Sequence, residues 1–158
     1  MKRSIRSVGA AFAALALTAM GLIVTGTPAS AANWSTYTKT SKWTCAASAT
    51  PLTGVTFESC LIISDRTTQA AVIMTNKSGG SIQIMGYPEH YVAGVQIDGG
   101  ECPKSTLSNG YSRACLSPSR TNASCGLAAQ GNSHGWVIRG EAEFQVHKLT
   151  DTKTTCSS

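Results

Sequence analysis

Three side chains that commonly perform acid–base chemistry lie close together near the carboxyl end of the sequence. Glu141, Glu143 and His147 fall within the stretch HGWVIRGEAEFQVHKL, from His134 to Leu149. If this stretch is a strand, the two glutamates lie about 6.5–7 Å apart along it, within the broad range of separations used by glycosidase carboxylates. Such a pair could make the chain a small hydrolase.

The same stretch alternates in the manner of a half-buried strand. One parity is apolar and consists of Trp136, Ile138, Ala142, Phe144 and Val146. The other parity is polar and consists of Arg139, Glu141, Glu143, Gln145 and His147. Because successive side chains of a strand point to opposite faces, we interpret Trp136 to Leu149 as one strand with a bend at Gly140. Its acidic residues then face water and have no catalytic role.

Two other patterns could also indicate chemistry. Gly131 to Gly135 reads GNSHG and matches G-x-S-x-G, but a nucleophile elbow needs a preceding strand, a following helix and a large parallel sheet. The mature chain is too short for that fold. His90, His134 and His147 lack the regular spacing of metal ligands. We therefore predict no catalytic residue, no metal site and no cofactor, so that the protein is not an enzyme.

The first residues have the features of a secretory signal. Lys2, Arg3 and Arg6 precede an apolar run from Val8 to Val24, and Pro28 to Ala31 offers a cleavage site of small residues. We predict a signal peptide over residues 1–31 and one secreted domain over residues 32–158. No second apolar run is long enough to cross a bilayer, so the product is expected to be extracellular and free of the membrane.

Charge argues against nucleic acid as a partner. The 158-residue chain has 13 basic and 8 acidic residues, a net charge of +5. The leader removes three basic residues and no acidic residue, which leaves a mature net charge of +2. The remaining Lys and Arg residues are scattered along the sequence, whereas nucleic-acid binding requires a basic patch. We expect other secreted proteins as partners.

Six cysteines remain after the leader, an even number that indicates disulfides in a small exported chain. They are Cys45, Cys60, Cys102, Cys115, Cys125 and Cys156. The count permits many connectivities, among which we expect neighbours to pair: Cys45 with Cys60, Cys102 with Cys115, and Cys125 with Cys156. Each bridge would contribute roughly 2–4 kcal/mol of stability.

Short runs rich in Val, Ile, Thr and aromatic residues, separated by Gly, Asn, Ser and Pro, predict an all-β fold. We expect about seven strands in a single-domain antiparallel β-sandwich. The runs are Trp34–Cys45, Val55–Ser64, Thr68–Asn76, Ser81–Tyr87, His90–Ile97, Tyr111–Leu116 and Trp136–Leu149. The segments 98–110 and 117–133 are expected to be loops held by disulfides.

The amino-terminal segment NWSTYTKTSKWTC is the first candidate for partner binding. It carries Trp34, Tyr37 and Trp43, it is rich in Thr, and it has no acidic residue. Such a segment could add a strand to the sheet edge of another protein, with its aromatic side chains as anchors. The alternative is that it forms the first strand of this domain's own sandwich.

The run Cys102-Pro103-Lys104-Ser105 is the second candidate. It resembles the reactive-site loop of the Streptomyces subtilisin inhibitor family, in which Cys-Pro precedes the specificity residue. The resemblance covers about four residues, and it implies that Lys104 is the specificity residue and Lys104-Ser105 the resistant bond. A basic residue there would suit a trypsin-like pocket with its buried carboxylate. An ordinary proline-containing loop beside a disulfide is the alternative.

In size, leader and β-rich character the chain resembles small β-sandwich proteins secreted by actinobacteria. One such group is the adaptor subunit of umbrella-shaped antibacterial toxin particles, which joins a lectin-bearing subunit to a repeat-built ring. This resemblance implies a non-enzymatic interaction module, an adaptor or binding subunit of a larger extracellular assembly. Inhibition of an extracellular trypsin- or subtilisin-like protease through Lys104 is the alternative function.

Overall fold

The computed structural model describes residues 33–156 of the chain. The leader predicted for residues 1–31 lies outside this range. All regular secondary structure of the described residues is β-strand. In chain order the strands are β1 (Trp34–Ser35), β2 (Trp43–Cys45), β3 (Ala49–Leu52), β4 (Val55–Ser64), β5 (Thr67–Asn76), β6 (Ile82–Val92), β7 (Val95–Gly99), β8 (Cys102–Leu107), β9 (Ser112–Leu116), β10 (Arg120–Thr121), β11 (Ala128–Arg139), β12 (Ala142–Leu149) and β13 (Lys153–Thr154).

These strands form two antiparallel sheets that pack together. The first sheet has the order β1-β9-β5-β4-β2, with β10 beside β5 and β3 beside β4. The second sheet has the order β12-β11-β6-β7, with β13 beside β11 and β8 beside β6. The prediction of an all-β, disulfide-braced sandwich is confirmed, although residues 33–156 form thirteen strands rather than about seven.

Two predicted strands are each divided in the structure. The run Trp34–Cys45 consists of β1 and β2, which are separated by residues 36–42. The run Trp136–Leu149 was expected to be one strand but is a hairpin, because Gly140 has a φ of 62° and the chain reverses there. Glycine adopts positive φ without steric cost, so the expected bend is a tight turn.

The prediction of which residues of Trp136–Leu149 face the core is also wrong in part. The register pairs Val137 with Phe144 across the turn, and paired residues lie on the same face of a sheet. Val137 is fully buried, and Phe144 and Val146 pack against the same core. Trp136 and Ile138 therefore lie on the outer face, contrary to the prediction, because the turn shifts the alternation between the two strands.

The prediction that segments 98–110 and 117–133 are loops is wrong in part. Strand β8 occupies Cys102–Leu107, and β11 begins at Ala128. Both strands pair with β6. Their many small and polar residues have weak strand propensity, so the hydrogen-bonding groups of the neighbouring strand decide their conformation.

Conversely, β6 is continuous through Pro88, where two separate strands were predicted. The Pro88 carbonyl accepts a hydrogen bond from the backbone N–H of Gly100. On that edge the pairing with β8 ends at Gly86 and the pairing with β7 begins at Glu89. Proline has no N–H to donate, and Pro88 lies in the gap between the two ladders, so the strand tolerates it.

The core contains a hollow in the inner face of the second sheet. Gly86 of β6 and Gly135 of β11 are paired, so neither contributes a side chain at this place. A Cβ atom at Gly135 would lie 2.5 Å from the Phe57 ring and 2.6 Å from Met74 Cε. A Cβ atom at Gly86 would lie 3.0 Å from the Trp34 ring. Large side chains of the first sheet therefore fill the hollow.

The structure has three disulfides with the neighbour connectivity: Cys45–Cys60, Cys102–Cys115 and Cys125–Cys156. The first joins β2 to β4 within one sheet. The second joins β8 to β9 and so connects the two sheets through the core. The third fixes the chain after β13 to the loop that precedes β11.

Residues 36–42 cross the outer face of the first sheet, because β1 and β2 lie at opposite edges of that sheet. Tyr37 and Trp43 pack against a buried cluster on this face, formed by Cys60, Ala71, Ile73 and Ala114. An ion pair of 2.6 Å between Lys39 Nζ and Glu58 Oε2 accompanies this packing. The crossing segment explains why the sequence of β5 is apolar on both faces.

Because the hollow at Gly135 is filled by side chains of the first sheet, adding one methyl group there should destabilise the protein. Gly135→Ala should lower the free energy of unfolding by about 1–3 kcal/mol, the usual cost of overpacking a core, because Phe57 and Met74 must move. Urea unfolding followed by circular dichroism measures the change. Gly80→Ala is the control, since the nearest atom to its added Cβ is a flexible Arg139 nitrogen at 3.9 Å. Equal stability of the two variants would contradict the proposed packing.

Candidate functional site

Five large side chains lie together on the outer face of the second sheet. They are Met85 and Tyr87 of β6, His134 and Trp136 of β11, and His147 of β12, and we call them the aromatic face. The register pairs Met85 with Trp136, Tyr87 with His134, and His134 with His147. The first four are half-buried and His147 is exposed. The register thus gathers residues from three strands into one surface.

The inner-face hollow determines where the aromatic face lies. Since Gly86 and Gly135 point inward, their neighbours along each strand must point outward. In β6 the inward positions are buried and the outward positions are half-buried or exposed, alternating along the whole strand. The residue types of Ile82–Val92 do not show this alternation, because Gly86, Pro88 and His90 occupy inward positions and Met85 and Tyr87 outward ones.

Trp136 separates two shallow depressions. One has a volume of about 240 Å³ and is lined by Met85, Gly86, Tyr87, Glu101, Cys102 and Trp136. The other has a volume of about 150 Å³ and is lined by His134, Gly135, Trp136, Gln145, Val146 and His147. Both depressions are open to solvent, and the Trp136 side chain lines each of them.

A hydrogen-bond network borders the aromatic face and is centred on Glu89. Its carboxylate accepts hydrogen bonds from Asn132 Nδ2 at 2.8 Å, Gln96 Nε2 at 3.2 Å and the Tyr91 hydroxyl at 3.3 Å. Asn132 Oδ1 in turn bonds to His147 Nε2. The network ties β7, β6, β11 and β12 together and holds the polar side chains beside the aromatic face in place.

The two histidines of the aromatic face are stacked. The ring centroids of His134 and His147 are 4.4 Å apart, with an interplanar angle of 16°. The His134 ring also lies beside Trp136, with a centroid separation of 6.5 Å. The histidines are 13 positions apart in the sequence, and only the hairpin register brings them into contact.

The structure does not place the two glutamates of the hydrolase hypothesis in a cleft. Glu141 is in the turn between β11 and β12, and Glu143 is on β12, opposite Ile138. Both side chains are exposed to solvent. A glycosidase acid is kept protonated by its surroundings, and exposed glutamates on a hairpin lack such surroundings.

The G-x-S-x-G match lies inside strand β11 rather than at a strand–helix turn. Ser133 is fully buried on the inner face, and its hydroxyl forms a 2.9 Å hydrogen bond with the Ser59 hydroxyl of β4. The bond joins the two sheets through the core. Ser133 therefore has a structural partner and no access to substrate.

The Cys102-Pro103-Lys104-Ser105 segment is part of β8 and not a projecting loop. Cys102 pairs with Gly86 and Ser105 with Ile84, so the backbone of the segment is bound to the sheet. Cys102 is buried, whereas Pro103 and Lys104 are exposed. Lys104 thus extends from the face of an edge strand instead of the tip of a convex loop.

The aromatic residues of the amino-terminal segment contact their own domain. Trp34 pairs with Cys115 in the first sheet, and its indole N–H donates a 3.0 Å hydrogen bond to the Pro103 carbonyl. Tyr37 and Trp43 lie on the outer face of that sheet, with ring centroids 5.9 Å apart. All three side chains are half-buried. The segment thus serves as the first strands of this sandwich.

Two clusters of cysteine with acidic residues have the proximity of metal ligands. They are Cys45, Glu58 and Cys60, and Asp65, Cys125 and Cys156. In both clusters the cysteines are joined in a disulfide. A metal ion is bound by the thiolate, so these clusters have no free sulfur ligand to offer.

His90 is fully buried on the inner face of the second sheet, where it pairs with Asp98 of β7. Its Nδ1 is 3.2 Å from the Ser117 hydroxyl, and its Nε2 has no hydrogen-bond partner among residues 33–156. Burial lowers the pKa of His90 below 6.5; the nearby Asp98 raises it and Arg120 lowers it by smaller amounts. His90 is therefore a neutral core residue.

Comparison with protein-family models, with curated proteins and with solved structures finds no match for this chain. Among residues 33–156, no helix is long and apolar enough to span a membrane.

The burial of His90 predicts acid sensitivity. Well above pH 6.5 the residue is neutral in both the folded and the unfolded chain, so it adds no pH dependence. As the pH falls below that value, the unfolded chain takes up a proton that the folded chain resists, and the free energy of unfolding decreases. Urea unfolding at several pH values measures this slope.

His90→Asn should flatten that slope, because asparagine does not titrate. A wild-type slope in the His90→Asn variant would show that another group is responsible.

Proposed function

We propose that the protein is a secreted, non-enzymatic interaction module that acts as an adaptor or binding subunit of a larger extracellular assembly. The signal-like leader and the three disulfides support an extracellular location. The resemblance to adaptor subunits of antibacterial toxin particles supports an assembly directed against competing bacteria. The aromatic face is the docking surface for another secreted protein of that assembly.

The main support is the difference between the two outer faces of the sandwich. The first sheet is covered by the chain's own residues 36–42, and its outer apolar cluster is buried. On the second sheet, Trp136, Tyr87 and Met85 remain partly open to solvent. Trp, Tyr and Met are enriched at the centres of protein interfaces, where a few aromatic residues supply most of the binding energy.

The border of the face also suits a protein partner. Gln83, Glu143 and Gln145 are exposed around the aromatic residues. A polar border around an aromatic centre is the usual anatomy of a non-obligate interface. The network centred on Glu89 holds the surface rigid, which reduces the conformational entropy lost on binding.

The geometry gives less support to protease inhibition. A protease cleft accepts an extended loop that stands away from the inhibitor body, whereas Lys104 belongs to a strand bonded to β6. The adaptor proposal requires no rearrangement of the sandwich and is therefore preferred.

The test is affinity capture of partner proteins from the culture medium of the producing organism, with the purified protein as bait. Wild-type protein should retain one or more defined secreted subunits. Trp136→Ala should weaken binding of the captured subunit by at least about 30-fold, the effect of losing an aromatic hot spot of about 2 kcal/mol. Isothermal titration with the identified subunit provides the dissociation constant.

Tyr111→Ala is the matched control, because Tyr111 is 56% exposed and lies outside the aromatic face. It should bind as wild type. Equal binding by Trp136→Ala and wild type would remove the aromatic face from the interface. Elution of the wild-type bait alone would reject the adaptor function. Loss of capture after enzymatic deglycosylation of the medium would instead identify a glycan as the ligand.

A further inference from the structure

We propose that His134 and His147 form a binding site for a divalent transition-metal ion such as Zn²⁺, Ni²⁺ or Cu²⁺. This site does not depend on the proposed adaptor function. The sequence predicts no metal site, since the histidines lack ligand spacing, but the hairpin places their rings 4.4 Å apart on an outer face. Imidazole nitrogen is a preferred ligand of these ions.

The hydrogen bonds of Asn132 determine the tautomer of His147. Asn132 is 2.8 Å from Glu89 Oε2, and an ionised carboxylate accepts hydrogen bonds only. The amide nitrogen of Asn132 must therefore face Glu89, and the amide oxygen must face His147 Nε2. An amide oxygen is an acceptor, so His147 Nε2 carries the proton. In the neutral ring this leaves the lone pair on Nδ1 free for a metal ion.

The same arrangement is typical of the surroundings of metal-binding histidines. Such a histidine usually donates its second ring N–H to a carbonyl or carboxylate group, which fixes the ring orientation and raises its basicity as a ligand. Here the Asn132 amide accepts the proton of His147, and Glu89 holds that amide in place. The chain therefore supplies one oriented imidazole with outer support.

His134 provides the second ligand. Zinc–nitrogen bonds are about 2.0–2.1 Å long, which places two nitrogens of one ion roughly 3–4 Å apart. The centroids of the stacked rings are 4.4 Å apart and the ring planes are nearly parallel, so one ring must turn before nitrogens of both rings can face one ion. The terminal torsion of histidine rotates over a broad range. Rotation of His134 about this bond directs a nitrogen toward the ion while His147 keeps its bond to Asn132. Water completes the coordination at this exposed site.

The probes are NiCl₂ and ZnCl₂, titrated into the untagged protein at neutral pH by isothermal calorimetry, with MgCl₂ as the hard-cation control. One equivalent of Ni²⁺ or Zn²⁺ should bind saturably, and Mg²⁺ should not bind. His134→Gln and His147→Gln should each remove saturable binding, and Glu89→Gln should weaken it by at least about 10-fold through loss of outer support. Circular dichroism checks that the variants fold.

Glu143→Gln is the matched control. Glu143 is exposed on β12 like His147, but it lies four positions before His147 and pairs with Ile138 rather than with His134. It should bind Ni²⁺ as wild type. Trp136 gives an independent readout, since its ring is 6.5 Å from His134 and paramagnetic Ni²⁺ or Cu²⁺ should quench its fluorescence. Trp136→Phe should lose that quenching but retain the calorimetric signal.

Three results would overturn the proposal. The first is that the wild-type protein binds neither Ni²⁺ nor Zn²⁺ saturably. The second is that both histidine variants bind these ions as the wild type does. The third is that Glu143→Gln weakens Ni²⁺ binding as much as Glu89→Gln does. The first shows that the stacked rings do not rearrange into ligands, and the other two place the ion elsewhere. Because no partner protein enters this experiment, its outcome is separate from that of the capture experiment.

Discussion

The packing of large side chains into the hollow at Gly86 and Gly135 is the constraint on which the rest of the structure depends. Two paired glycines remove side chains from the middle of one sheet, and Phe57, Met74 and Trp34 occupy the space. Close packing of this kind fixes the separation and register of the two sheets. It also places the residues before and after each glycine in the sequence on the outer face. These residues form most of the aromatic face: Met85, Tyr87, His134 and Trp136.

The outer faces of the two sheets differ in how much of their apolar surface is covered. The first sheet buries its apolar outer cluster under residues 36–42, so the amino-terminal segment contributes mainly to stability. The second sheet leaves its outer aromatic rings partly open to solvent, beside a hydrogen-bonded polar border. This difference between the two outer faces is the basis of the proposed docking role.

The Glu89 carboxylate holds the other polar side chains of this surface in place. Glu89 orients Asn132, and Asn132 orients His147, whose ring lies against His134. A partner that contacts Trp136 and an ion that contacts the histidines would therefore use parts of the same rigid framework. Neither proposed role requires a buried acid or a nucleophile.

The sequence by itself determined the class of the fold. Alternating short runs rich in β-formers predicted a sandwich, and the even cysteine count predicted disulfides, because these signals depend on local periodicity and composition. Only the tertiary structure decided that Trp136 faces outward, that β8 is a strand and that His134 meets His147. Each of these facts depends on strand register across a turn or between distant segments, and pairing of this kind leaves no local pattern in the sequence.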